Sequence, residues 1–97
     1  MGTHLQKYKD LRILRKLSGL DENDMMNSRK QEATLVRMCL YRYYEECDYY
    51  HYEIADLLGK SRSNVTYHLN NFETYYKQMP ELREMYEKFK ELINKQS

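Results

Sequence analysis

Neutral hydrogen-bonding side chains recur at helical spacing in the second half of the chain, and none of them is a carboxylate. At about 100° per residue, one helix face carries Ser63, Thr66, Tyr67, Asn70 and Thr74. Asn can pair with adenine through two hydrogen bonds, Ser and Thr can reach base edges or phosphates, and Tyr can donate to a phosphate. This face has the chemistry of a base reader in duplex DNA, and the alternative is an ordinary solvated helix face.

Basic side chains near this face could bind the phosphates beside the bases. Arg62 falls at the first helical position and Lys60 in the turn before it, so both can reach phosphate, and Arg62 can also reach guanine. Acidic residues, which would repel DNA, gather just before the turn at Glu45, Glu46, Asp48, Glu53 and Asp56. The predicted DNA-binding residues are Arg29, Lys30, Arg37, Lys60, Ser61, Arg62, Ser63, Asn64, Thr66, Tyr67 and Asn70.

Cys47 and His51 have the spacing of a metal-binding pair on a continuous helix. No third or fourth ligand is evident, so we expect a buried thiol and a surface imidazole, with no bound metal or cofactor. The sequence contains no recognisable spacing of nucleophile, base and orienting acid, and no glycine-rich phosphate loop. We therefore predict that the chain is not an enzyme, and that His68 is a structural residue at the edge of the apolar stripe.

Tyrosines cluster before the turn, at Tyr41, Tyr43, Tyr44, Tyr49, Tyr50 and Tyr52. Aromatic platforms can stack single-stranded bases, but such platforms usually come with basic residues, whereas these come with acidic ones. We expect the rings to pack mainly in the core. The acidic, tyrosine-rich end could also offer a surface to a protein partner.

The polar face requires two short helices joined by a tight turn to position it. Gly59 can adopt the positive φ that ends the first helix, and the Ser61 hydroxyl can cap the second. Ala55 would let the two backbones approach closely. The apolar contact between the helices would come from Ile54, Leu58, Val65 and Leu69. This pattern predicts a helix-turn-helix whose second helix is available to enter a groove.

Apolar spacing and capping signals predict an all-α chain of about five helices, with the helix-turn-helix at its centre. The first helix spans about residues 4–18 and ends at Gly19. Its apolar stripe consists of Leu5, Tyr8, Leu11, Leu14 and Leu17. The last helix spans residues 81–95, and its buried stripe consists of Leu82, Tyr86, Phe89, Leu92 and Ile93.

The middle of the chain is predicted to begin with a polar linker over residues 20–27. Ser28 then begins the second helix, in a capping box with Gln31. One face of this helix carries Ala33, Val36, Leu40, Tyr43 and Cys47, and the opposite face carries Lys30, Thr34, Arg37 and Tyr41. The fourth helix follows the turn as one continuous element, with Val65, Leu69, Phe72 and Tyr76 facing the core.

A chain of 97 residues is expected to form one domain. It has no apolar run of membrane length and no signal-peptide pattern, and Cys39 and Cys47 would lie too far apart on one helix to form a disulfide. We therefore expect a cytoplasmic protein without a membrane segment. Its first and last helices are expected to pack together within one monomer, and a homodimer formed through either helix is the alternative.

Short stretches of the sequence carry a family resemblance. Arg29-Lys30-Gln31 opens a long helix, Glu53-Ile54-Ala55 leads into the turn, and the turn itself reads Gly59-Lys60-Ser61-Arg62-Ser63-Asn64-Val65. Residues 28–77, and most closely 28–72, resemble the C-terminal DNA-binding domain of the bacterial replication initiator DnaA, in the Trp repressor-like group of helix-turn-helix folds. The resemblance implies that the basic start of the long helix lies against DNA. It also implies that Arg62, Ser63 and Asn64 read the major groove.

The sequence therefore predicts a double-stranded DNA-binding module similar to that of the initiator, without its ATPase domain. Two alternatives remain open. One is a transcription regulator that binds DNA as a dimer, and the other is a protein-interaction module that uses the acidic, tyrosine-rich end.

Overall fold

A computed structural model of the chain describes the backbone of residues 3–96 and the side chains of residues 9–95. The described helices are α1 (Thr3–Ser18), α2 (Glu22–Asn27), α3 (Gln31–Glu46), α4 (His51–Leu58), α5 (Arg62–Asn70), α6 (Phe72–Gln78) and α7 (Pro80–Gln96). The described residues include no strand, so the prediction of an all-α chain is confirmed. The prediction of about five helices is wrong, because this part of the chain forms seven.

The first unexpected helix, α2, lies in the segment that was predicted to be a polar linker. Asp21 caps its N-terminus, with the Asp24 backbone N–H donating to Asp21 Oδ1 over 2.8 Å. Met25 is only 1% exposed and anchors the helix to the core. A helix of 6 residues with one deeply buried side chain is too short to produce a recognisable apolar period.

The second unexpected helix, α6, arises because the chain bends at Asn71 instead of continuing from α5. The Asn71 side-chain Nδ2 donates to the Tyr67 carbonyl oxygen over 2.8 Å. Leu69 and Phe72 are buried on either side of the bend, while Tyr76 is half-buried. Because the apolar spacing continues across Asn71, the sequence pattern gives no sign of the break.

The start of α3 also differs from the prediction. Ser28 follows α2, and its Oγ accepts a hydrogen bond from the Lys30 backbone N–H over 3.1 Å. Lys30 occupies the N-cap of α3 without a side-chain cap. The predicted capping box between Ser28 and Gln31 is therefore wrong, and Arg29 and Lys30 lie in the link between α2 and α3.

Helix α3 is the central element, since α1, α2, α4, α5 and α7 all pack against it. Ala33, Val36 and Leu40 are buried, as predicted, but Cys47 is exposed at the C-terminal end of the helix. Tyr41 was placed on the opposite face and is fully buried instead. Because other helices pack against α3 on several sides, its buried surface is wider than the single apolar stripe that the sequence predicted.

One hydrophobic core connects the described helices. Helix α1 packs on α7, with Leu11 and Leu14 buried on α1 and Leu82, Tyr86 and Phe89 buried on α7. Leu5 and Tyr8, which were predicted to extend the α1 stripe, lie outside the residues whose side chains are described. Within the described part of the chain, no helix combines the length and the apolar character that a bilayer crossing requires.

Candidate nucleic-acid interface

The turn between α4 and α5 has the local geometry that its sequence predicts. Gly59 adopts a φ of +67°, in the left-handed region that favours glycine. The Lys60 backbone N–H then donates to the Ala55 carbonyl oxygen over 2.9 Å, which closes the end of α4. Ser61 Oγ accepts a hydrogen bond from the Asn64 backbone N–H over 3.1 Å and caps α5. The predicted roles of Gly59 in ending α4 and of Ser61 in capping α5 are confirmed.

Buried apolar side chains fix the packing of α4 against α5. On α4 these are Ile54, Ala55 and Leu58, and on α5 they are Val65 and Leu69. The predicted contact is therefore confirmed. Because these side chains occupy the inner side of α5, the polar side chains on its other sides are left to face outward.

The outward face of α5 carries most of the predicted base-reading residues. Ser63, Tyr67 and Asn70 are exposed, and 55% of the Tyr67 surface is accessible. Thr66 differs from them because it is half-buried, with its Oγ1 lying 2.9 Å from His51 Nδ1. Thr66 thus has a hydrogen-bond partner within the chain, and the exposed Tyr67 hydroxyl forms a hydrogen bond with the Tyr75 hydroxyl. Ser63 and Asn70 present their polar groups to the solvent side.

Asn64 also has a partner within the chain. Its Oδ1 accepts a hydrogen bond from the buried Tyr41 hydroxyl over 2.8 Å, which joins α5 to α3. Its backbone carbonyl oxygen lies 3.0 Å from His68 Nδ1, and His68 is half-buried beside it. The side-chain oxygen of Asn64 is therefore engaged with the core, and the part of this side chain that could read a base is its NH₂ group.

Two of the predicted phosphate ligands bind the C-terminal end of α2. Arg37 Nη1 donates to the Met25 carbonyl oxygen over 2.8 Å, and Lys60 Nζ donates to the Met26 carbonyl oxygen. Burial lowers the pKa of both cationic groups, and the positive charge of Arg37 further lowers that of Lys60. Both side chains therefore have a structural role, because they bind carbonyl groups that the helix itself leaves unpaired.

The exposed members of the predicted cationic set are Arg29, Lys30 and Arg62. Arg29 follows Met26 by three residues, so their Cα atoms lie within about 11 Å of each other. Because Lys60 contacts Met26, the basic link before α3 lies close to the turn before α5. The segment that leads to Arg29 and Lys30 is thus tied to the turn before α5 through the contact between Lys60 and Met26.

At the acidic end, Arg42, His51 and Lys90 lie against two of the carboxylates that sequence reasoning treated as repulsive. The Glu45 carboxylate lies 3.2 Å from Arg42 Nη1 and 3.1 Å from His51 Nε2. The Glu46 carboxylate lies 3.8 Å from Arg42 Nε and 3.4 Å from Lys90 Nζ. These pairs reduce the negative potential that Glu45 and Glu46 present to solvent.

The spacing of Cys47 and His51 does not correspond to one helix face. Cys47 ends α3, whereas His51 begins α4 after an intervening turn. Both His51 ring nitrogens lie within hydrogen-bond distance of side chains, at Thr66 and Glu45. Among the described residues, no group of three or more His, Cys, Asp or Glu side chains is arranged to hold a metal ion.

The tyrosine cluster divides between the core and the surface. Tyr41 and Tyr44 are fully buried, whereas Tyr50 and Tyr52 are 67% and 55% exposed. The two exposed rings stack on each other, with their centroids 5.8 Å apart and their planes 9° from parallel. They border an open cavity of about 400 Å³, whose wall comprises Glu45, Tyr49, Tyr50, His51, Tyr52 and Arg62.

Sequence reasoning missed the proximity of Arg62 to the tyrosine pair. Arg62 belongs to α5 and the tyrosines lie at the start of α4, so only the packing of the two helices brings them together. No periodicity within either helix could have revealed that these residues share the wall of one cavity.

Comparison with protein-family models, curated proteins and solved structures finds no match to this chain.

Proposed function

We propose that the chain binds double-stranded DNA, with α4 and α5 acting as a helix-turn-helix and α5 entering the major groove. The outward face of α5 is the observation that carries this proposal. It presents Ser63, Tyr67 and Asn70 to solvent, and α5 contains no acidic residue. Neutral donors and acceptors on an exposed helix can pair with base edges without repelling the phosphates beside them.

Phosphate binding falls first to the exposed cations on either side of this face. Arg29 and Lys30 lie in the link after α2, which Lys60 contacts from the turn at Met26, and Arg62 stands at the first position of α5. Lys60 and Arg37 already donate to α2 carbonyl oxygens, so their main contribution is to hold α2 beside the turn. Phosphate contacts position the helix, while base contacts from the α5 face provide sequence preference.

The resemblance to the DNA-binding domain of DnaA supports a replication-initiator-like module as the biological setting. In that setting Arg62, Ser63 and Asn64 would read the groove. The packing of α1 on α7 within one chain favours a monomer, because it uses the apolar surfaces that a dimer would otherwise share. A monomer would bind a single site without two-fold symmetry.

Salt dependence provides the first test, measured by the fluorescence anisotropy of a labelled random duplex. At about 0.9 per neutralised phosphate, Arg29, Lys30 and Arg62 together give a slope of log K against log salt near −3. Participation of Arg37 and Lys60 would bring it to about −4.5. We therefore expect a slope between about −3 and −5. A salt-independent complex, or no complex at about 50 mM salt, would contradict duplex binding.

Lys88→Ala is the matched control for this measurement. Lys88 is also an exposed cation, but it lies on α7 beside the α1 residues Lys16 and Leu17. We expect the Lys88 variant to keep the slope of the parent chain. A loss of slope as large as that of Arg29→Ala would mean that DNA binds through net charge and not through the proposed surface.

A further inference from the structure

We propose that the cavity beside Tyr50 and Tyr52 binds an unpaired nucleotide of a single-stranded nucleic acid. In this arrangement the base stacks on the tyrosine pair and Arg62 binds the adjacent phosphate. The proposal does not depend on duplex binding, because its main observation is the stacked tyrosine pair, which takes no part in the proposed duplex contact; Arg62 is the residue that the two sites share.

The tyrosine pair has the geometry of a stacking platform. The two rings are nearly parallel, at 9°, and more than half of each side chain is exposed. Exposing aromatic surface of this kind to water is unfavourable in free energy, and stacking a nucleic-acid base on it removes that surface from water whatever the identity of the base. The tyrosines follow each other closely at the start of α4, where the Tyr50 backbone N–H donates to Glu53 Oε1 over 2.9 Å. This bond holds the backbone of the platform in place.

The charge of the cavity favours an anionic ligand despite its acidic sequence context. Glu45 is the carboxylate in the wall, and it is already paired with Arg42 and His51. Arg62 is exposed and forms no ion pair with any residue that the structure describes. The cation in the wall is therefore available to a phosphate, while the carboxylate is engaged elsewhere.

The size of the cavity agrees with a nucleotide. Its volume of about 400 Å³ falls within the range of small-ligand sites, roughly 300–1,000 Å³. A nucleotide combines a flat aromatic group with a neighbouring anion, and the wall offers a counterpart for each. A quaternary ammonium ligand also binds aromatic cages, but Arg62 would repel it.

Anisotropy of a labelled single-stranded oligothymidylate of twelve nucleotides would test this site, since such an oligonucleotide cannot form a duplex with itself. The parent chain is expected to bind it, and the double substitution Tyr50→Ala with Tyr52→Ala to weaken binding roughly ten-fold or more. The double substitution to Phe keeps both rings and is expected to stay within about two-fold of the parent. Circular dichroism and thermal melting of each variant establish that the fold is retained, and Tyr52→Ala alone serves if the double variant unfolds.

Tyr67→Ala is the matched control, because Tyr67 is as exposed as Tyr52, at 55%, but lies outside the cavity wall. It should leave oligothymidylate binding unchanged, while the Tyr50 and Tyr52 variants should leave duplex binding unchanged. A parent chain that binds oligothymidylate but not the duplex would therefore count against the proposed function and not against this site. No binding of oligothymidylate by the parent at low salt, or equal binding by the double Ala variant, would overturn the proposal. Binding of a purified protein partner that the double Ala variant loses, without oligothymidylate binding, would overturn it as well.

Discussion

Lys60 and Arg29 show how two cations near one turn can have different roles. Lys60 Nζ donates to the Met26 carbonyl oxygen at the end of α2, whereas Arg29 is exposed in the link before α3. Lys60→Ala is therefore expected to lower the free energy of unfolding by about 1–2 kcal/mol through the lost hydrogen bond. Arg29→Ala should leave stability unchanged and make the salt slope of duplex binding shallower by about 0.9. Urea unfolding and anisotropy of both variants would measure the difference.

The opposite pattern would show that this distinction is wrong. A Lys60→Ala variant with the stability of the parent would remove the structural role assigned to Lys60. An Arg29→Ala variant with reduced stability and an unchanged salt slope would remove the phosphate-binding role assigned to Arg29.

Asp10 provides a pH-dependent test of the contact between α1 and α3. Its carboxyl group is buried and accepts a hydrogen bond from the Tyr44 hydroxyl over 2.8 Å. Burial raises the pKa of Asp10 to about 6, although Tyr44 and the charge of Lys9 lower it in part. The folded chain therefore binds more protons than the unfolded chain between about pH 4 and 6, and stability should fall as the pH rises through this range.

Asp10→Asn removes this titration and keeps an oxygen that can accept the Tyr44 hydrogen bond. We expect the variant and the parent to have similar stability near pH 4, and the variant to be more stable by about 2 kcal/mol near pH 7.5. Urea unfolding at the two pH values would measure this. A parent chain that gains stability relative to the variant as the pH rises would contradict the assignment.

At the residue scale, the sequence predicted local roles better than long-range partners. Gly59 and Ser61 act within a few residues of themselves, so the chemistry of their side chains was enough to assign them. The partner of Lys60 is a carbonyl group 34 positions away, and Tyr41 is buried because Asn64 on another helix satisfies its hydroxyl. Such contacts depend on packing, which residue type and spacing do not specify.

At the scale of elements, the turn between α4 and α5 is the feature on which the proposed function depends most. Gly59 has a φ of +67°, and a Cβ added there would meet no atom within 4 Å. Gly59→Ala should therefore destabilise the chain by about 1–2 kcal/mol through backbone strain alone. Gly59→Asn should cost less, because Asn tolerates the left-handed region more readily. Equal costs for the two substitutions, measured by thermal or urea unfolding, would argue against a strained turn.

The sequence predicted a helix correctly where the apolar spacing was long. The prediction failed for the short α2, and it failed at Asn71, where the apolar spacing continues from one helix into the next. The long α1 and α7 carry several buried residues at helical spacing and were predicted close to their observed bounds, whereas α3 was recognised as a helix but begins after Lys30 and not at Ser28. Helix α2 has only Met25 fully buried, and its polar composition resembled a linker. The bend at Asn71 lies between two helices that share one apolar stripe, and no proline or glycine marks it.

At the scale of the whole molecule, the arrangement of charge matters more than its sum. The net charge is only +1, so long-range attraction to DNA is weak. The acidic residues Glu45 and Glu46 are paired with Arg42, His51 and Lys90, whereas α5 carries no acid. A sequence-wide count could not reveal this division, because the pairs that involve His51 and Lys90 join α3 to α4 and α7. Local placement makes one surface suitable for phosphate despite a nearly neutral chain.

Binding-site selection from random duplexes tests the central claim most directly, with Tyr67→Ala and Asn70→Ala compared against the parent chain. Both side chains are exposed on α5. Asn64 is left out because it also hydrogen-bonds to the core, so a substitution there would change stability as well as base reading. We predict that the parent enriches a defined, non-palindromic sequence. Each variant should lose roughly 1–3 kcal/mol on that sequence and little on random DNA. Recovery of the same sequence preference by the parent and both variants, or no enrichment by the parent, would contradict base reading by α5.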